Sequence, residues 1–499
     1  MCSPRREKGS RFRKGTLGDG LADGEAIDRV SQEFLHLLQK GKLLVVWVVD
    51  RSASMNDDRE DVAARIERVY TQVASLSIAE GDRLLTGVVS YGDRSTEQAA
   101  TNHTPTPTAD RERVVETIRG LASVDDGAEL QCPALQFAIA AYRKRAEADG
   151  RKLVVFLVSD ESGDRATNES QLESTITLAK EANCSISVVG HEAIFGSPYA
   201  MMSVSDPATK KTAWHRINRG PETPDPEQLQ FNGYHRRTDA FPSGFGPYEQ
   251  SRLARMTGGI FYMFPKPEVR LVGRDTRTYD ADVMRRYLPD LSSREAYRAA
   301  REASPFRAAV WKVIADLDPY RPGSLGFRTE LRLREFSIDP EKFAVEASAQ
   351  VKKADELIEY LAEAEKHLEQ VAALREEEKS RRWRANYDLL YAQVVGYQAL
   401  LREYSWYMSE FVKNPKPVKY GPGSDRPNNS WYVRNVPGLR KPEETLPQQR
   451  KAELLFRKVE EMHPGTPWSE RAGDELKRRY GIELWESALP GPLETLPKF

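Results

Sequence analysis

Only three of the 499 residues are cysteines: Cys2, Cys132 and Cys184. They form neither a metal-type spacing nor a dense disulfide framework, so the chain does not depend on disulfides, which suits the cytosol. No run approaches the roughly 18 apolar residues that a bilayer span requires. An excess of one charge is missing too, with 74 Lys and Arg against 75 Asp and Glu. A near-neutral chain has no bulk attraction for nucleic acid or an anionic membrane, so neither is expected as a partner without a local patch. The start, Met1 to Gly20, carries Arg5, Arg6, Lys8, Arg11, Arg13 and Lys14 but no apolar centre of a signal peptide. Residues 1–26 are expected to form a disordered basic tail, and cytoplasmic location is favoured, with export left open if the N-terminus is incomplete. There is no G-x-S-x-G elbow and no G-x-x-x-x-G-K-[ST] phosphate loop, so the chain is expected not to be an enzyme.

Hydrophobic residues make up 39% of the chain and charged residues 30%, enough for a core in a chain of two to four domains by length. Residues 27–40 place Ile27, Val30, Phe34 and Leu37 at helical spacing. The unbroken apolar run Leu43–Val49 then predicts a strand buried on both faces. Further strands are predicted at 84–91, 153–158, 185–189 and 259–264. Helices are predicted at 59–78, 110–120, 130–147, 169–183 and 248–256. This alternation predicts an α/β domain over 27–265, a doubly wound, mostly parallel sheet. The rhythm breaks at about 191–247, rich in Pro, Gly and aromatics, which reads as an ordered insertion with short hairpins. Residues 266–340 are mixed. Beyond them a C-terminal helical region is predicted: an antiparallel helical hairpin at 341–412, a Pro-rich linker at 413–448 and a small helix pair at 449–485. The second hairpin helix carries a heptad seam through Trp383, Tyr387, Leu390, Val394, Tyr397, Leu401, Tyr404, Met408 and Phe411. Its bulky aromatics favour an internal core over a two-stranded coiled coil.

At the end of the first strand stands Asp50-Arg51-Ser52-Ala53-Ser54. In an open parallel sheet, ligands bind beyond the carboxyl ends of the strands. A carboxylate and two hydroxyls at alternate positions can converge there on one hard divalent cation, Mg²⁺ ahead of Mn²⁺ or Ca²⁺. Leu157-Val158-Ser159-Asp160-Glu161-Ser162-Gly163 offers a second carboxylate after a later buried strand. This combination resembles the von Willebrand factor type A domain and its metal-ion-dependent adhesion site, over about residues 41–265. The resemblance implies a metal site formed by Asp50, Ser52, Ser54 and Asp160, and a job in metal-dependent protein binding. The family carries a Thr on an intermediate loop. Here Asp126-Gly127-Ala128-Glu129-Leu130-Gln131-Cys132-Pro133-Ala134-Leu135 puts Glu129 in its place, with Ser123 and Asp126 as alternatives. A carboxylate at that position would favour metal retention and disfavour an acidic ligand. The rival reading is a structural or assembly protein with a fixed or absent metal, binding through the insertion or the hairpin.

His191, His215 and His235 lie too far apart in sequence for a finger-like zinc site. The stretch from Asn232 to Tyr248 mixes Arg, aromatics and Gly. Tyr234, His235, Arg236, Arg237 and Phe245 are its candidates for contacting a protein partner, against the alternative of a packed loop. The partner's identity and the oligomeric state are not legible in the sequence.

Overall fold

The computed structural model describes residues 25–75, 81–92, 99–124, 129–205, 212–264, 271–273, 277–419 and 428–487. The elements run α1 (Glu25–Lys40), β1 (Lys42–Asp50), α2 (Asn56–Ala74), β2 (Leu84–Tyr91), β3 (Thr101–Asn102), α3 (Arg111–Arg119), α4 (Gln131–Ala148), β4 (Arg151–Ser159), α5 (Arg165–Glu181) and β5 (Cys184–Gly190). They continue with β6 (Tyr199–Ser205), β7 (Thr212–Asn218), α6 (Tyr248–Thr257), β8 (Phe261–Met263), α7 (Ala281–Met284), α8 (Arg294–Glu302), α9 (Pro305–Asp316) and α10 (Leu325–Arg328). The last are β9 (Phe336–Ser337), α11 (Pro340–Gln370), α12 (Arg381–Lys413), β10 (Ser430–Val436), α13 (Pro442–Met462), α14 (Pro467–Leu476) and β11 (Gly481–Ser487). None of the described helices is long and apolar enough to cross a membrane. Two compact units result, one within Met1–His191 and Glu249–Pro265, the other within Glu192–Tyr248 and Lys266–Phe499.

The first unit is the doubly wound sheet. Its strands lie in the order β3-β2-β1-β4-β5-β8, parallel except for the short β3. β1 is central, and from Leu43 to Asp50 every residue is buried, as a strand covered on both faces demands. One face packs Trp47 against Phe156 and Phe34, with Tyr70 edge-on to Phe34. Asp110 and Asp164 cap α3 and α5 by accepting the N–H groups of Arg113 and Thr167. α5 begins a turn earlier than the apolar pattern indicates, because its first residues are polar and the cap, not periodicity, sets the start.

The second unit corrects several expectations. Residues 192–248 belong to it rather than forming an excursion of the sheet domain. They include the predicted hairpin, β6 paired antiparallel with β7. The stretch read as a linker holds β10 and the first turns of α13. β10 sits in an antiparallel sheet of order β11-β10-β9. Pro442 opens α13 and Pro447 lies in its second turn, so prolines that read as breakers sit close to the helix start. The helical hairpin is present as α11 and α12, capped by Asp339 and Ser380. Yet α12 is buried beyond the seam: Ala385, Leu389, Ala392, Val395, Ala399 and Leu400 are as enclosed as Leu390 and Val394. It is the central helix of the unit, contacted by α11, α13, α14, α9 and β11, rather than one strand of a coiled coil.

Against α12 lies an irregular segment, Arg219 to Phe231, buried at every position. Backbone and side-chain polar groups enclosed in this way need partners. Arg382 bridges Glu222 and Glu227. Asp225 takes Arg298 at 2.8 Å and Arg301 at 2.7 Å. Tyr297 donates to Glu227 at 2.6 Å, as does Asn386 Nδ2 at 3.0 Å. At the start of this unit, burial pushes the Glu192 carboxyl up to about 7; the Gly244 N–H it accepts opposes the rise and Glu222 adds to it.

Two outcomes follow for stability. Leu390→Ala should lower the unfolding free energy by about 2–5 kcal/mol, because a cavity at the centre of α12 cannot collapse; urea denaturation followed by tryptophan fluorescence measures it. Glu192 has a folded-state pKa above its unfolded value. Its contribution is therefore present below pH about 4.5 and lost as pH rises through about 7. Glu192→Gln should flatten that part of the stability profile by about 3 kcal/mol at most. An unchanged slope between pH 4 and 8 would show the carboxyl to be solvated.

Candidate functional site

Asp50 ends β1 and is fully buried. A carboxylate there needs donors, and the strand ends and the turn after β1 place three. Oδ1 accepts the N–H of Ser52 at 2.8 Å. Oδ2 lies 2.9 Å from the Ser159 hydroxyl, at the end of neighbouring β4, and 3.1 Å from the Tyr91 hydroxyl, at the end of β2. Three adjacent strand ends thus converge on one side chain. The turn after β2 depends on Gly92, whose φ of +111° suits glycine. A Cβ there would lie 3.5 Å from the backbone nitrogens of Arg51 and Ser52, so the β2 turn and the Asp50 loop sit close together.

Beyond Asp50 the chain makes a short turn in which the Ser52 and Ser54 hydroxyls are 2.9 Å apart. Arg51 donates from Nε to the Ala122 carbonyl at 2.7 Å, and Arg59 from Nη1 to that of Leu121 at 3.1 Å. Ser52 is bridged to Val124 as in a parallel sheet. These contacts hold the 121–124 loop beside the Asp50 loop. Ser123 itself is exposed, and Asp126 lies outside the described residues.

Glu129 comes from the N-terminal side of α4, and its backbone carbonyl accepts the N–H of Asp164 at 2.7 Å. Burial, then the charges of Asp50, Glu161 and Asp160, push its carboxyl well above the usual range, and a hydrogen bond shared with Asp50 adds to this. The Asp50 and Asp160 carboxyls therefore both lie within electrostatic reach of Glu129. Tyr91 is raised for the same reasons, burial first and then Asp50 and Glu129. Glu129 Oε2 and the Ser162 hydroxyl are enclosed with no hydrogen-bond partner. Among the described residues, no three or more His, Cys, Asp and Glu side chains are arranged to hold a metal by themselves. The Asp50 set would rely on serine hydroxyls as well. An all-oxygen set with a crowded negative charge and an unsatisfied carboxylate oxygen fits a hard divalent cation.

Of the second candidate surface, the two rings are turned inward while His235 and Arg236 remain partly exposed. Tyr234 and Phe245 are buried in the second unit, 2% and 3% exposed. Arg237 donates to Glu475 and to Tyr397, both at 2.7 Å. Arg236 makes a two-pronged pair with Glu330. His235 Nδ1 lies 2.7 Å from the Arg236 carbonyl. The Arg-aromatic composition that marks an interface also suits a buried polar core, and here the rings pack inward while the guanidiniums find carboxylates. His191 packs against Phe264 in the first unit, its ring tilted by 48°, whereas His215 and His235 belong to the second.

Sequence reasoning passed over Ser159, Tyr91, Gln131 and Gln250, which complete the surroundings of the Asp50 and Asp160 loops. Their signal was only positional: Tyr91 and Ser159 end buried strands on either side of β1.

A parallel sheet with this carboxylate and hydroxyl set beyond its central strand defines a type A domain. The family model described as von Willebrand factor type A domain matches residues 45–217, and the chain contains such a domain. Solved structures with similarity include the pilus adhesin SpaC from Lactobacillus rhamnosus GG in an open conformation, at 10% identity and a TM-score of 0.25, covering 34% of this chain and 25% of that one. Another is proximal thread matrix protein 1 from the mussel byssus with a zinc-occupied MIDAS motif, at 14% identity and a TM-score of 0.22, covering 31% and 36%. The match thus spans about a quarter of the adhesin and about a third of the byssus protein. No curated protein matches by sequence.

The donor count at Asp50 has a measurable consequence. Ser159→Ala removes one of two hydroxyl donors from a buried carboxylate and should cost about 1–2 kcal/mol in the presence of EDTA. Chemical denaturation checks it; a loss below about 0.3 kcal/mol would mean that Tyr91 and the Ser52 N–H suffice.

Proposed function

We propose that the first unit is a metal-dependent protein-binding module in which Asp50, Ser52, Ser54, Glu129 and Asp160 hold one divalent cation, Mg²⁺ by the hardness of the donors. The observation that carries this is the crowding of carboxyls around Glu129, with an enclosed and unpartnered Oε2, beyond the central strand. Without a cation, burial and the neighbouring acidic groups push the Glu129 carboxyl well above the usual range. With one, the same carboxyls become mutually supporting, because the ion's charge reverses the local electrostatics. The cation would supply a fixed positive charge and the Lewis acidity to draw an oxygen ligand from a partner.

Glu129 modifies that role. A carboxylate in place of a neutral hydroxyl binds the cation more firmly and occupies part of the face that an acidic partner group would use. The module therefore retains its metal and selects against acidic ligands. The enclosure of Glu129 also supports a second reading, a structural metal in an assembly protein whose contacts lie elsewhere. Chelation separates the two: it abolishes partner binding in the first and leaves it in the second while lowering stability.

Titration with Mn²⁺ tests the ligand set. Asp50→Ala should abolish the rise in melting temperature that the cation produces in the wild type. Glu129→Thr should weaken affinity about tenfold or more while letting acetate bind more readily to the metal-loaded protein. An Asp50→Ala variant that responds to Mn²⁺ like the wild type places the cation elsewhere, and unchanged affinity in Glu129→Thr removes Glu129 from the set.

A further inference from the structure

The Ser159 hydroxyl has one proton, and it lies beside the Tyr91 hydroxyl and two stronger acceptors. Asp50 Oδ2 is 2.9 Å away and the Glu161 carbonyl 3.0 Å away. Only one can receive it at a time. The Glu161 carbonyl has two further donors, both glutamines. Gln131 Nε2, from the first turn of α4, donates to it, and Gln250 Nε2, from the first turn of α6, does so at 2.7 Å. A carbonyl oxygen has two lone pairs. With both amides in place they are filled, and the Ser159 proton is left to Asp50.

The packing holds both amides in position. Gln250 Oε1 would lie 3.1 Å from a Cβ on Gly190, so that glycine leaves its room. The Gln131 side chain would lie 3.1 Å from a Cβ on Gly163, in the Asp160 loop. Gln250 Nε2 and Gln131 Oε1 are 3.5 Å apart, so the two amides are neighbours. Both glutamines are 1% exposed, and amides enclosed to that degree are held by the bonds they make.

We propose that Gln131 and Gln250 are positioning residues for the cation site: by saturating the Glu161 carbonyl they direct the Ser159 proton onto Asp50 and set the orientation of the loop that carries Asp160. The inference rests on the metal-binding reading for its effect on affinity, but the direction of the Ser159 proton does not need a cation. Gln250 is also the second residue of the return segment Glu249–Pro265, so the metal loop is tied to the point where the chain re-enters the first unit.

The test is a double-mutant cycle of Gln250→Met, which keeps the length and removes the donor, with Ser159→Ala, in the full-length protein. Two quantities are read: urea stability in EDTA and Mn²⁺ affinity by calorimetry. Gln250→Met alone should weaken Mn²⁺ binding about tenfold, as outer-shell partners of metal ligands do. In the Ser159→Ala background, with no proton to redirect, most of its effect should disappear in both measurements. Gln131 Nε2 also lies 3.3 Å from the Ser159 hydroxyl and would couple to it directly, so Gln250→Met, which makes no such contact, carries the test. Additive losses in the cycle, or Mn²⁺ affinity unchanged by Gln250→Met, would overturn the proposal, because a glutamine that merely fills space acts independently of the Ser159 hydroxyl. A wild-type protein that binds no Mn²⁺ would defeat the metal reading and, with it, the affinity part of the proposal; the proton's direction then stands or falls on the metal-free stability cycle alone.

Discussion

The arrangement of the first unit turns on one buried carboxylate. Asp50 is fully buried at the end of a central strand of the sheet, where an ionised side chain is costly unless it is paired or hydrogen-bonded. Its requirements reach into neighbouring elements. They call for a hydroxyl at the end of β2, another at the end of β4, and a turn that brings the Ser52 N–H back onto Oδ1. The Ser159 donor in turn requires that the Glu161 carbonyl be satisfied by others, which reaches to the first turns of α4 and α6. A single charge at a strand end thus organises both loops of the site.

The same economy of polar groups governs the second unit, on a larger scale. The segment from Arg219 to Phe231 has neither helix nor strand and is nonetheless enclosed. Its carboxylates can be there only because Arg382, Arg298 and Arg301 meet them with paired geometry. Buried ion pairs of this kind contribute little net stability against an apolar core, but breaking one leaves an uncompensated charge. They therefore act as constraints on which packing is acceptable. That α12 supplies Arg382 and Asn386 from within an apolar helix accounts for its burial well beyond the seam: its polar positions are occupied by the network and its apolar ones by α11 and α13.

Glu129 connects the electrostatics of the site to its role. A neutral hydroxyl at this position would leave room for an incoming ligand. On the proposed ligand set, a carboxylate here crowds the metal-free site with acidic groups and would make the metal-loaded site more nearly complete. Cation binding and folding of the site would thereby be linked more tightly than a looser ligand set would link them.

By itself the sequence determined the sheet and placed Asp50 and Asp160 just beyond two of its strands. Continuous apolar runs of strand length, each followed by an amphipathic helix, fit no architecture better than a parallel sheet, and Asp50 and Asp160 follow buried strands where such sheets bind ligands. These features are local, because periodicity and strand-end position are carried by neighbours in the chain. What only the tertiary structure decided lies in pairings over long separations. Gln250 and Glu161 are 89 residues apart, and Asn386 and Glu227 are 159 apart. Tyr234 and Arg237 read as a surface because composition does not distinguish an exposed guanidinium from one facing a buried carboxylate, here Glu475. Residues 191–247 read as an insertion because nothing local records that carboxylates within them meet Arg298, Arg301 and Arg382. Burial of a polar group depends on whether a donor or acceptor waits for it, and that is settled only when distant segments meet.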